Sequence, residues 1–149
     1  MGPEPKWDKR FWELACFIAN WSKDPKAKVG AVLATKKKDA IALGYNGFPV
    51  GVEDSAERLN NKSIKLDMII HAEQNALLIA GPASQGAELF VWGKPICARC
   101  AGLVIQAGIS RVIAVDPGTD KNSKWYETGK LAIEMFKEAG ITTVLINMK

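Results

Sequence analysis

Histidine is almost missing from this chain: there is one among 149 residues, alongside only three cysteines and two tyrosines. Three cysteines, two of them in the pair Cys97-x-x-Cys100, do not make a disulfide framework and read as reduced thiols of a cytoplasmic protein. No apolar run approaches the roughly 18–20 residues that span a bilayer, so no membrane partner is expected. The segment Met1-Gly2-Pro3-Glu4-Pro5 is acidic and proline-containing, unlike a secretory signal. Internal repeats and low-complexity stretches are absent too. What remains is an ordinary globular balance, 48% hydrophobic and 24% charged, in a length suited to one domain over residues 1–149 with residues 1–6 as a loose arm.

The net charge is +4. Lys23, Lys26 and Lys28 lie close together, and Lys36-Lys37-Lys38 forms a second run. A solvated surface and a charged turn account for these, and so would affinity for an anionic substrate. Binding of a polynucleotide is not expected, because it would need a basic groove lined with aromatics, and the lysines are scattered.

Residues 8–21 have helical periodicity, with Phe11, Leu14, Ala15 and Ile18 on one face. Trp12, Cys16, Ala19 and Trp21 add a second apolar stripe, which calls for burial in the fold or against another subunit. Val29 to Ala34 and Ile41 to Tyr45 form a hairpin by pattern. A loop containing Asn46-Gly47-Phe48-Pro49 leads into a polar stretch reaching Lys65. Helix formers run from His71 to Ala80, and Gly81-Pro82 stops them. Glu88 to Trp92 is a strand, 98–107 a helix capped by Gly108, Arg111 to Val115 a strand, Trp125 to Ala139 a helix and Ile141 to Ile146 a strand. This alternation argues for a mostly parallel sheet with helices on both faces, an α/β/α domain.

The sole histidine opens the tripeptide His71-Ala72-Glu73, and Cys97 and Cys100 follow. Three such donors suit a catalytic zinc site, which leaves its fourth tetrahedral position open. His71 and Cys97 sit at predicted helix starts, where unpaired N–H groups favour thiolate over thiol. Cys97 and Cys100, at i and i+3, lie on one side of a helical turn. Glu73, two residues beyond the histidine, points elsewhere and is spaced to shuttle protons beside the metal. H-x-E followed by P-C-x-x-C marks zinc-dependent nucleobase deaminases. Taken singly, Cys-x-x-Cys could be a redox pair and a lone histidine a core residue. A closed four-ligand site could recruit Cys16, but that leaves Glu73 without a task.

At these residues the chain resembles the cytidine and deoxycytidylate (dCMP) deaminase superfamily. The likeness extends to Ser22-Lys23-Asp24-Pro25, Val29-Gly30-Ala31, Gly44-Tyr45-Asn46-Gly47-Phe48-Pro49, His71-Ala72-Glu73-Gln74-Asn75-Ala76 and Ile105-Gln106-Ala107-Gly108-Ile109. The resemblance implies a three-layer α/β/α fold with a mixed five-stranded sheet and a bound Zn²⁺. It also implies a pyrimidine nucleotide substrate, dCMP first, and a homo-oligomer (dimer or hexamer) with a deoxynucleoside triphosphate effector. By the same resemblance Asn46 holds the sugar, and the backbone around Ala72 holds the base. Trp125 could stack on the base or belong to the core. Two departures stand out: Ile96 separates Pro95 from Cys97, and Trp92-Gly93-Lys94 replaces small and hydroxyl residues. Deamination of another nucleoside, a free base or tRNA adenosine, and a non-catalytic zinc module, stay open as alternatives.

Overall fold

The computed structural model describes residues 6–148, so residues 1–5 of the expected arm lie outside the described residues. Lys6 is already tied to the first helix through its carbonyl, which accepts from Arg10 N at 3.1 Å. Helix α1 (Trp7–Ala19), strands β1 (Gly30–Ala34) and β2 (Ala40–Tyr45) and two short helices, α2 (Ala56–Asn60) and α3 (Lys62–Met68), come first. They are followed by α4 (Ala72–Ala80), β3 (Glu88–Trp92), α5 (Ala98–Gln106), β4 (Arg111–Val115), α6 (Tyr126–Glu138) and β5 (Thr142–Ile146). Ser55 and Asn61 open α2 and α3 by accepting the N–H groups of Arg58 and Ile64.

The five strands lie in the order β2-β1-β3-β4-β5. Strand β1 runs antiparallel to both of its neighbours, whereas β3, β4 and β5 are parallel. The sheet is therefore mixed rather than mostly parallel. The reason lies in the connection from β2 to β3, which passes over β1. Strand β3 consequently points along β2 and against the strand it touches.

Alternation along each strand divides the core in two. Leu33, Leu89, Val91 and Val112 face one side, where Ala76 of α4, Val104 of α5 and Phe136 of α6 cover them. Val32, Phe90 and Ile113 face the other, against Phe11 and Ala15 of α1. Each fully buried side chain of this size stabilises the fold by roughly 1.5–3 kcal/mol. Of the second apolar stripe of α1, Ala19 is buried and Trp12 and Cys16 are half-buried, whereas Trp21 is 56% exposed, as is the nearby Phe17 at 59%. Trp21 meets Phe17 on one side and Tyr45 of β2 on the other, with ring centroids 6.0 and 6.1 Å away. Among the described residues no helix is long and apolar enough to cross a membrane.

Gly44 sets the distance between β2 and α4. A Cβ there would stand 2.4 Å from Ala72 O and 2.7 Å from Ala76 N, so only glycine lets the sheet approach the start of α4 so closely.

Candidate functional site

His71 is the N-cap of α4 and Cys97 the N-cap of α5, both with extended backbone dihedrals. Gln74 Oε1 accepts His71 N–H at 2.8 Å and so fixes where the histidine leaves its helix. The segment just before it is pinned by a pair of backbone bonds between Gly47 and Ile70, at 3.1 and 2.8 Å. On the other side Ala98 N donates to Thr128 Oγ1 of α6 at 2.8 Å, satisfying one of the free N–H groups of α5. Ile96, which separates Pro95 from Cys97, is 4% exposed and belongs to the core, so it anchors the loop that presents the cysteine.

These supports bring three donor atoms within 4.8 Å of one another: one from His71 and the sulfurs of Cys97 and Cys100. His71 Nδ1 lies 3.1 Å from Cys100 Sγ and 3.7 Å from Cys97 Sγ. Zn–N and Zn–S bonds of about 2.1 and 2.3 Å at a tetrahedral angle separate such a nitrogen and sulfur by about 3.6 Å. The donor set fits zinc in chemistry and in spacing. Cys16 lies apart from it, half-buried on α1.

The charges agree with that assignment. A hydrogen bond from Cys100, aided by His71, lowers the Cys97 thiol to about 4, while the same bond drives Cys100 well above the usual thiol range. The bond to Cys97 raises His71 against the opposing effect of burial. The pair thus holds one thiolate and one proton that a divalent ion would displace. Glu73, 4% exposed in the first turn of α4, is raised above the ordinary carboxylate range chiefly by burial. Its carboxyl group reaches the Cys100 sulfur.

In front of the cluster opens a cavity of about 70 Å³. His71, Ala72, Glu73, Asn46 and Trp125 all line it, so the residues read from the sequence converge on one space. Trp125 is half-buried and faces this cavity. Asn46 also knits the walls together: its Oδ1 accepts Val29 N–H at 2.9 Å, and its Nδ2 donates to Ala27 O at 2.7 Å.

The sequence reading missed the charged wall. Asp24, 3% exposed, pairs with Lys65 at 3.0 Å. Burial alone would raise the Asp24 carboxyl, but N–H groups of Lys26 and Ala27 and the Lys65 ammonium hold it below its usual value of 3.8. Lys94 and Lys124 complete the rim. A lysine in a short polar helix and two in loops carry no local signal of convergence. By contrast Lys23 turns to Asp54 at 3.0 Å, and Lys28 Nζ donates to Ser22 O.

A three-layer α/β/α fold with a His-Cys-Cys metal cluster and a buried glutamate beside it defines a zinc-dependent deaminase scaffold. The profile described as "Cytidine and deoxycytidylate deaminase zinc-binding region" matches residues 5–116, and the chain belongs to this family. It is 40% identical over 136 residues to "Uncharacterized deaminase in luxG 3'region" of Aliivibrio fischeri, covering 91% of this chain and 90% of that one. Deoxycytidylate deaminase of Mus musculus is 35% identical over 145 residues, with 92% and 78% covered. The apo crystal structure of dCMP deaminase from cyanophage S-TIM5 superposes with a TM-score of 0.72 at 25% identity, covering 97% of this chain and 99% of that one. The five-stranded mixed sheet is thus the cytidine deaminase-like fold, and the metal is zinc.

Proposed function

We propose that this chain acts as a single deaminase domain that converts dCMP and water to dUMP and ammonia. The observation that carries the reading is Glu73, a buried carboxyl group beside a three-donor cluster, lining the same cavity as Asn46 and Trp125. His71 Nδ1 and the sulfurs of Cys97 and Cys100 would hold the zinc. When bound, zinc supplies Lewis acidity that makes water nucleophilic near neutral pH.

The protein's own part is proton management and orientation. Glu73 accepts the proton given up by the attacking water and delivers it to ring N3 as the oxygen adds to C4. A second proton passes through the same carboxylate to the exocyclic amine, the C4–N bond breaks and ammonia leaves. One group serves as base and then as acid, and burial keeps bulk water from taking over the shuttle. The backbone at Ala72 borders the base, Asn46 borders the sugar, and the Trp125 ring offers a flat apolar wall for the pyrimidine. Relatives named deoxycytidylate deaminase at 30–35% identity support dCMP as the substrate.

The exposed aromatics of α1, with Leu78 and Ile79 of α4 at 75% and 66% exposure, support a homo-oligomer. Thiol ligands that must stay reduced support a cytoplasmic location. Control by a deoxynucleoside triphosphate is an expectation carried by the family resemblance. Ammonia release measured on zinc-loaded protein with dCMP, CMP, deoxycytidine, cytosine and adenosine tests the substrate assignment. Turnover of dCMP should be fastest, and faster turnover of any other compound would overturn the assignment.

A further inference from the structure

Four cations gather where the cavity opens to solvent. Beside the cavity lies a hollow of about 250 Å³ whose wall includes Lys26, Lys62, Lys94, Lys124 and Trp125. Lys65, Lys94, Lys124 and Trp125 line both spaces, so the two are continuous. Lys65 is offset by Asp24, but Lys26, Lys62, Lys94 and Lys124 make no ion pair among the described residues. Like charges gathered without a counterion destabilise a surface, and they persist where an anion is to be received.

Two further details favour reception over mere solvation. Lys124 Nζ lies over the Trp125 ring, 5.3 Å from its centroid, so the ring holds the ammonium at the mouth of the cavity. Burial, and then the proximity of Lys62, Lys65 and Lys94, lowers Lys124 from its ordinary value, which places these cations in one field. Lys94 is held by its neighbour. Gly93 has φ +120°, and a Cβ there would meet Lys28 O at 2.4 Å, so the backbone before Lys94 is pressed against the loop leading into β1.

We infer that Lys94 and Lys124, with Lys62 behind them, seat the phosphate of the substrate and give this enzyme its preference for a nucleotide over a nucleoside. The inference rests on the nucleotide reading above. It assigns no such part to Lys23 or Lys28, which are engaged elsewhere. A phosphate monoester carries close to two negative charges at neutral pH, and two unpaired ammonium groups match them. The base and sugar fill the inner cavity while the phosphate remains at the rim, where the lysines bind it with charge-assisted hydrogen bonds.

The test compares kcat/KM for dCMP and deoxycytidine in the zinc-loaded protein and in Lys94→Gln, Lys124→Gln and the double variant. Lys37→Gln in the β1–β2 turn serves as the control. Each rim variant should lower the dCMP-to-deoxycytidine ratio about ten-fold or more, with the loss concentrated on dCMP, and the control should leave the ratio intact. Inorganic phosphate should compete with dCMP in the parent protein and lose potency in the double variant, a readout open even at reduced turnover. A ratio unchanged in the double variant overturns the seat while leaving the nucleotide reading standing. A parent enzyme without preference for dCMP overturns both. Faster turnover of a single-stranded oligonucleotide bearing cytosine than of dCMP would make the rim a polynucleotide track and overturn the monoester seat.

Discussion

Glu73→Gln should separate activity from stability. The carboxyl group is 4% exposed and raised by burial, so in its charged form it is held at a cost in the folded protein. Glutamine keeps the shape and one acceptor oxygen but cannot exchange a proton at neutral pH. Loss of a general acid–base typically lowers turnover by about 10²–10⁴-fold, or about 2.7–5.5 kcal/mol in the barrier. Relief of the buried charge should meanwhile leave the folded state at least as stable, with a gain on the order of 1 kcal/mol and a melting temperature raised by about 2–4 °C. Zinc should stay bound, because no ligand has changed. The assay is steady-state ammonia release beside calorimetry and metal analysis of the same preparation. Near-normal turnover would refute the shuttle. Loss of zinc or a marked fall in melting temperature would show that Glu73 supports the centre instead.

Cys16→Ser should retain one zinc per chain, whereas Cys97→Ser should lose both zinc and stability; metal analysis and thermal melts decide, and loss of zinc from Cys16→Ser would indicate a closed structural site. Lys65→Met removes one partner of the buried pair with Asp24 and should destabilise the protein by about 3 kcal/mol at pH 7 by denaturant titration. Because Asp24 is depressed below 3.8 in the fold, its favourable contacts are present above that value and fade as pH falls through the folded pKa, so the gap between parent and variant should narrow below pH 4; a gap independent of pH would refute the pairing. Sedimentation at micromolar concentration should give a mass that is a multiple of 16.2 kDa, and a mass of one chain would refute self-association through the exposed aromatics.

Legibility in the sequence followed local chemistry. Glu88–Trp92 and Arg111–Val115 are strands at the expected boundaries, because apolar runs flanked by turn residues leave little room for error. The metal cluster was equally plain, since His71, Cys97 and Cys100 are rare residue types at a distinctive spacing. Helices α2 and α3 were read as a polar stretch. Helix α2 buries no residue and α3 only Lys65, so neither has an apolar stripe to detect. The direction of β3 relative to β1 is settled by where a connection crosses, and no periodicity within either strand encodes that. Lys62, Lys94 and Lys124 looked scattered because they lie far apart along the chain, and only the folding of one short helix and two loops onto one mouth collects them.

The paired helix caps carry a mechanical consequence. His71 and Cys97 are 26 residues apart, and the chain between them contains the whole of α4 and β3. An ion joining them closes that length into a ring, much as a disulfide would, and a covalent tie of this size restricts the unfolded chain by about 3.5 kcal/mol. The metal is then a rivet as well as a reagent. A chelator should loosen the two helix starts together with β3, the central strand of the sheet, so loss of chemistry and loss of rigidity arrive as one event.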